Sequence, residues 1–137
     1  MSTCASRQKI TASASDRAVA RFSQIGEHGA VWLAIAAATR RWDAARTIGI
    51  AYGANQLIKV IVRRRRPTGG LTDTKSNLSY PSAHAATSVA AVRALEMPAL
   101  WPLAIALAGS RLYLGVHYPS DTVAGAALGG VVAELTR

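Results

Sequence analysis

This sequence predicts an all-α fold, a compact transmembrane bundle of about five helices with its functional site at one membrane face. Three observations carry that expectation. Half of the residues are hydrophobic, and aromatics make up only 6%, so the apolar content is largely Ala, Val, Leu and Ile together with 11 glycines, a mix suited to closely packed helices. In each helical segment the apolar residues run around the whole helix instead of forming one stripe. A membrane-spanning helix needs about 20 mostly apolar residues, with a range of about 17 to 25, and the second, fourth and fifth segments reach the lower part of that range. A soluble helical domain is the competing reading, but nearly uniform apolar helices in so small a chain leave it too little polar surface.

Residues 1–16 are Ser/Thr-rich, lack a continuous apolar stretch and read as a polar tail instead of a secretory signal. Cys4, the only cysteine, excludes an intrachain disulfide and a thiolate metal cluster. Residues 17–137 form one membrane-embedded domain, since 137 residues leave no room for a second. The first helix is expected from Arg17 to Thr39, most apolar at Ala30 to Ala38, and is followed by the polar turn Arg40-Arg41-Trp42-Asp43. The second, Ala44 to Val62, is apolar apart from Arg46, Asn55, Gln56 and Lys59. Arg63 to Tyr80 is the one long loop, with four consecutive arginines, Pro67, Gly69-Gly70 and a polar run from Thr72 to Asn77, and such loops are more often functional than decorative.

Pro81 and Ser82 precede a run of helix formers, so a third helix runs from Ser82 to Leu95 with Ser82 at its cap. Glu96-Met97-Pro98 turns the chain into a fourth helix, Ala99 to Val116, and Pro119 opens a fifth that continues to Leu135. The spacings Gly49-xxx-Gly53 and Gly125-xxx-Gly129 suit close helix approach.

The 16 Lys and Arg against 7 Asp and Glu give a formal charge of +9 and point to an anionic partner. Nucleic acid is disfavoured, because no aromatic residues are interleaved with the arginines to stack bases. Charges within apolar helices are expensive, so each calls for a partner or a task. Lys59 lies near the end of the second helix and Arg66 follows in the loop; His84 stands in the first turn of the third helix, whose free N–H groups can hold an anion; Arg111 is near the end of the fourth. His117 and Asp121 straddle the start of the fifth. Taken singly, Lys59 can be a snorkelling side chain, Arg63 to Arg66 a juxtamembrane anchor and His117 a loop histidine. Helices of alternating direction, however, bring all of them to one face, with two histidines and one carboxylate among the cations.

The motifs Lys59, six residues, Arg66-Pro67; Pro81-Ser82-Ala83-His84; and Ser110-Arg111, five residues, His117, three residues, Asp121 resemble the three-part signature of the type 2 phosphatidic acid phosphatases, the lipid phosphate phosphatase superfamily. The resemblance covers Lys59 to Gly125 in the right order and spacing. It departs from the family at Ala83, where Gly is usual, and in the number of helices, which is usually six in membrane members.

The resemblance implies a phosphomonoesterase in which His117 is the nucleophile and forms a phosphohistidine, Asp121 holds its ring, and His84 protonates the leaving oxygen and then activates water. Lys59, Arg66, Arg111, Ser82 and Ala83 would bind the phosphate. Three fixed cations do the work of a metal, so no metal and no cofactor is implied. The substrate would be a lipid or polyprenyl-linked phosphate, and the small size is similar to the actinobacterial phosphatases acting on decaprenyl-phosphoryl-5-phosphoribose in cell-wall synthesis; phosphatidic acid, phosphatidylglycerol phosphate and polyprenyl diphosphates stay open. A vanadate-dependent peroxidase and a non-catalytic membrane subunit holding anionic lipid are the rival readings.

The expected location is the bacterial inner membrane. Arg7, Lys9, Arg17, Arg21, Arg63, Arg64, Arg65 and Lys75 lie on the side of the site and Arg40, Arg41, Arg46, Arg93 and Arg137 on the other, eight against five, which favours a cytoplasmic opening. The extra arginines Arg63 to Arg65 read as contacts to a second phosphate or, the favoured reading, to anionic lipid, and the short helices leave room for a homo-oligomer.

Overall fold

The structure is a computed structural model that describes residues 12–137; most of the expected tail, with Cys4, Arg7 and Lys9, lies outside them. The described chain is all-helical: α1 (Ala14–Gln24), α2 (Ala30–Ala38), α3 (Trp42–Val62), α4 (Ala83–Leu95), α5 (Trp101–Tyr113) and α6 (Pro119–Leu135), with single 3-10 turns at Glu27–Gly29 and Pro98–Leu100.

Two helices differ from expectation. The first begins earlier, where Ser13 Oγ accepts from the Asp16 N–H and Asp16 accepts from the Ser13 N–H, and it is split in two. His28 (φ 55°) and Gly29 (φ 73°) both take left-handed backbone, which no α-helix continues through. α1 is also amphipathic, with Phe22 on the core and Arg17, Arg21 and Gln24 exposed. The fourth expected helix is shortened at both ends: Pro98 starts a separate 3-10 turn, and α5 stops at Tyr113 ahead of Gly115, which has φ 67°.

The organising helix is α4, which packs on α6, α3 and α5. Its Ala85, Ala86, Ala90 and Ala91 are buried, and the absence of larger side chains lets neighbouring backbones come close. Closest is α6, where a Cβ on Gly125 would strike the Ser82 carbonyl and one on Gly129 the Ala86 carbonyl. The expected Gly125-xxx-Gly129 contact is therefore made within the chain. Gly49 and Gly53, at the same spacing on α3, have no atom within 4 Å of a built Cβ and face no neighbour among the described residues. Below the site, Trp32, Ile48, Leu95 and Leu107 fill the main core, and the Trp32 indole N–H donates to Ser88 Oγ at 3.0 Å.

No described helix is both long and apolar enough to cross a membrane. At 21 residues α3 has the length, but it carries Arg46, Asn55, Gln56 and Lys59. The 13 residues of α4 and of α5 rise about 20 Å against a hydrocarbon thickness of about 30 Å. Large apolar side chains nevertheless face outward, among them Leu57, Ile61, Ile105, Val123 and Leu135.

The two glycine pairs are expected to respond oppositely to substitution. Gly129→Val forces α6 away from α4 and should destabilise the protein by about 1–3 kcal/mol. Gly53→Ala adds a methyl where there is room and should stabilise it by about 0.5–1 kcal/mol. Thermal unfolding of the two variants beside the parent protein checks both signs.

Candidate active site

The motifs converge as the helix directions require. The end of α3 carries Lys59, the following loop Arg66, the start of α4 Ala83 and His84, the end of α5 Arg111, and the turn before α6 His117; all six line one cavity of about 230 Å³. Two expected site residues stand behind the lining. Ser82 is fully buried, its N–H donating to the Asp121 carbonyl at 2.9 Å and its Oγ capping α4 through the Ala85 N–H at 3.5 Å. Asp121 is fully buried as well. Ala83 opens α4 in helical backbone, which any residue adopts, so the missing Gly costs nothing there, and its N–H is one of the first four that an α-helix leaves without an internal partner.

His117 is held by charge on two sides. Arg66 Nη1 lies 3.0 Å from His117 Nε2 and also donates to the Val116 carbonyl at 2.9 Å, while Arg66 Nε donates to the Ser76 carbonyl at 2.6 Å. A guanidinium can only donate, so the imidazole lone pair is on Nε2 and the proton on Nδ1. Nδ1 faces Asp121 Oδ2 at 3.5 Å, within ion-pair range but longer than a hydrogen bond, and it has no hydrogen-bond partner among the described residues. Asp121 Oδ2 also accepts from the Tyr118 N–H at 2.8 Å, and Oδ1 accepts from Arg64 Nη1 at 3.1 Å. Arg64 further donates to Ser120 Oγ at 2.7 Å and lies 4.1 Å above the Tyr118 ring. The expectation that Arg63 to Arg65 serve alike as lipid contacts is thus corrected for Arg64, whose guanidinium holds the carboxylate behind His117.

The second histidine is fixed from α1. His84 Nε2 donates to the Ser23 carbonyl at 2.9 Å, which leaves Nδ1 with the lone pair. Ser23 is fully buried and its Oγ accepts from Arg111 Nη1 at 3.0 Å, so one serine backs both a histidine and a cation. Gly26 follows it, and a Cβ there would lie 3.0 Å from His84 Cδ2 and 3.1 Å from Leu107. Arg111 Nε is buried without a partner among the described residues, a donor left over for an anion. Asn55, one turn before Lys59, donates to the Pro81 carbonyl at 3.0 Å and ties the two motif segments together.

Burial, reinforced by the cations of Arg66, Arg111 and Lys59, pushes the His117 imidazolium down to about 2, so the ring is neutral at pH 7. Burial and then Arg111 lower Arg66 to about 10, which leaves it charged. Among the described residues no group of three or more His, Cys, Asp or Glu is placed to hold a metal ion. A neutral ring nitrogen facing three cations can attack an electrophile that those cations hold, and a tetrahedral oxyanion fits both requirements.

Residues 40–137 match the PAP2 superfamily, and the chain belongs to it. It is accordingly a phosphatase, a phosphoric monoester hydrolase. Similar to it are the decaprenylphosphoryl-5-phosphoribose phosphatase of Mycobacterium tuberculosis, 41% identical over 82% of this chain and 73% of the relative, and the phosphatase of the same name from Mycolicibacterium smegmatis, 42% identical over 75% and 67%. In fold it is similar to the transmembrane PAP2 type phosphatidylglycerolphosphate phosphatase from Bacillus subtilis, with a TM-score of 0.66 at 20% identity, covering 88% of this chain and 74% of that one.

The His117 environment predicts a pH dependence of stability. The unfolded ring titrates near 6.5 and the folded one near 2, so this stabilisation is complete above pH 6.5 and declines as the pH falls below it, by up to about 1.4 kcal/mol per pH unit. Unfolding midpoints measured from pH 7.5 to 4.5 should fall in the acid half, and His117→Gln should reduce that slope without abolishing it, because burial lowers His84 in the same direction.

Proposed function

We propose that this phosphatase is an integral membrane, metal-independent phosphomonoesterase that acts on a polyprenyl-linked phosphate, with decaprenylphosphoryl-5-phosphoribose as its substrate, through a phosphohistidine. The observation that carries the reading is the neutral His117 ring, whose Nε2 lone pair faces Arg66 inside the cavity while Asp121 backs Nδ1. The names of the two mycobacterial relatives support the choice of substrate.

In this mechanism the phosphate displaces the Arg66–His117 contact, and Lys59, Arg66 and Arg111 neutralise its oxygens while the Ala83 N–H adds a hydrogen bond. Nε2 attacks phosphorus in line, the phosphorus–oxygen bond to the sugar breaks, and the leaving oxygen takes a proton from Nδ1 of His84. The arriving phosphate dianion favours the protonated form of that histidine, whose Nε2–H stays on Ser23. His117 then carries phosphate on Nε2 and a proton on Nδ1, a cation that Asp121 stabilises. His84, now neutral, takes a proton from water; the hydroxide attacks phosphorus, the phosphorus–nitrogen bond breaks, and inorganic phosphate leaves. Ser82 acts from behind, as the cap that orients the start of α4.

A membrane location is supported by the outward-facing Leu57, Ile61, Ile105 and Val123 and by the need to meet a lipid headgroup. A cytoplasmic opening is supported by Arg17, Arg21, Arg63 and Arg65, which line a groove beside the site. At the opposite end Arg41 is engaged with the Leu95 carbonyl and Arg93 with Glu134.

Phosphate release from decaprenylphosphoryl-5-phosphoribose in detergent is expected to persist in EDTA and to be inhibited by orthovanadate; a requirement for added divalent metal would overturn the mechanism. His117→Ala should abolish turnover, and Asp121→Asn should lower kcat by about 100-fold or more with the fold intact. Arg64→Ala is expected to lower kcat by about tenfold at little change in KM, and Arg64→Lys to restore part of it.

A further inference from the structure

Part of the cavity wall is not used by the reaction: Glu27, His28, Tyr52, Gln56 and Lys75, drawn from the turn between α1 and α2, from α3 and from the long loop, line the same cavity as the phosphate-binding cations. Four of these groups, all but Gln56, form one polar chain. Lys75 Nζ lies 3.4 Å from Glu27 Oε1 and 3.3 Å from His28 Nε2, and His28 Nδ1 lies 2.6 Å from the Tyr52 hydroxyl, with the two rings edge to face at 78°. His28 takes part in this chain from left-handed backbone (φ 55°), a strained conformation for a residue other than glycine, and Gly29 follows it at φ 73°. Strain of this kind persists where surrounding structure imposes it and clusters at ligand sites.

We propose that this wall is a leaving-group subsite that takes a hydroxyl-rich ring, a furanose with vicinal hydroxyls, attached to the phosphate that His117 attacks. Three features point to such a ligand. A carboxylate, an imidazole, a phenol and an amide alternate donors and acceptors at close spacing, which matches neighbouring hydroxyls that each donate and accept. The cavity, about 230 Å³, is below the roughly 300–1,000 Å³ of sites that enclose drug-sized ligands, so it holds a polar headgroup and leaves a lipid chain outside. And these residues line the same cavity as the phosphate-binding cations, so a ring esterified to the scissile phosphate lies within their reach.

The assignment rests on the phosphatase reading above and deepens it. The test uses the full-length protein and its His28→Ala and Tyr52→Phe variants, with decaprenylphosphoryl-5-phosphoribose and decaprenyl phosphate as the two substrates, the second having the same lipid but no sugar. Orthovanadate inhibition reads the phosphate end alone. The parent protein should prefer the sugar-bearing substrate by at least about tenfold in kcat/KM. Each variant should lose about tenfold on that substrate and keep both the vanadate inhibition constant and the turnover of decaprenyl phosphate within about twofold. Unchanged turnover of the sugar phosphate in both variants overturns the subsite, as does an equal loss on both substrates or a matching loss of vanadate inhibition. A parent protein that releases phosphate from neither substrate overturns the function on which the subsite depends. The near-isosteric Tyr52→Phe keeps the test valid if His28→Ala does not fold.

Discussion

Asp121 is a carboxylate with no exposure to water, and the site is assembled around satisfying it. A buried charge without partners costs several kcal/mol, so the chain supplies the Tyr118 N–H to Oδ2 and the Arg64 guanidinium to Oδ1. What remains of Oδ2 is directed at His117 Nδ1. The residue's backbone is engaged as well, because its carbonyl accepts from the Ser82 N–H. One residue therefore caps α6, anchors the arginine loop, orients one histidine and fixes the start of the helix that carries the other.

The rest of the cavity is a set of cations that would separate if they were free. Lys59, Arg66 and Arg111 face the same space, and each is held there from outside it: Arg66 by the carbonyls of Ser76 and Val116, Arg111 by Ser23, and Lys59 by its burial in α3. Burial, and then the positive charge of these three side chains, keeps His117 unprotonated, and the Arg111 Nε donor has no partner among the described residues. In the proposed mechanism a phosphate displaces the Arg66–His117 contact and gives these cations negative charge and acceptor oxygens. Such preorganisation is how a site favours a charged transition state over water.

Lys59, Arg66, His84, Arg111, His117 and Asp121 were legible in the sequence together and not singly: each alone has an innocuous explanation, but the three motif spacings and helices of alternating direction bring them to one face. Ser23 was not, since a serine in an amphipathic helix is ordinary and its burial arises only when α1 folds across α5. Arg64 was hidden among four identical side chains; only the structure distinguishes the one that turns inward. The break between α1 and α2 was obscured by the apolar run that follows it, although Gly26 and Gly29 three residues apart were a signal. Identical Gly-xxx-Gly spacings on α3 and α6 had different outcomes because spacing describes one helix and says nothing about whether another lies against it.

The close approach of α4 and α6 links packing to chemistry. Gly125 is four residues after Asp121, one turn further along the same helix, and the atom it lies against is the carbonyl of Ser82, whose own N–H is bonded to Asp121. The separation of the two helices at Gly125 thus also sets how near Asp121 comes to the start of α4, and with it the relation of His117 to His84. A methyl group at position 125 would have to widen this gap at the point where the two motifs are joined, whereas position 129 lies a further turn from the site. The small residues of α4 and α6 thereby bear on how near His84, in the first turn of α4, comes to His117, in the turn before α6.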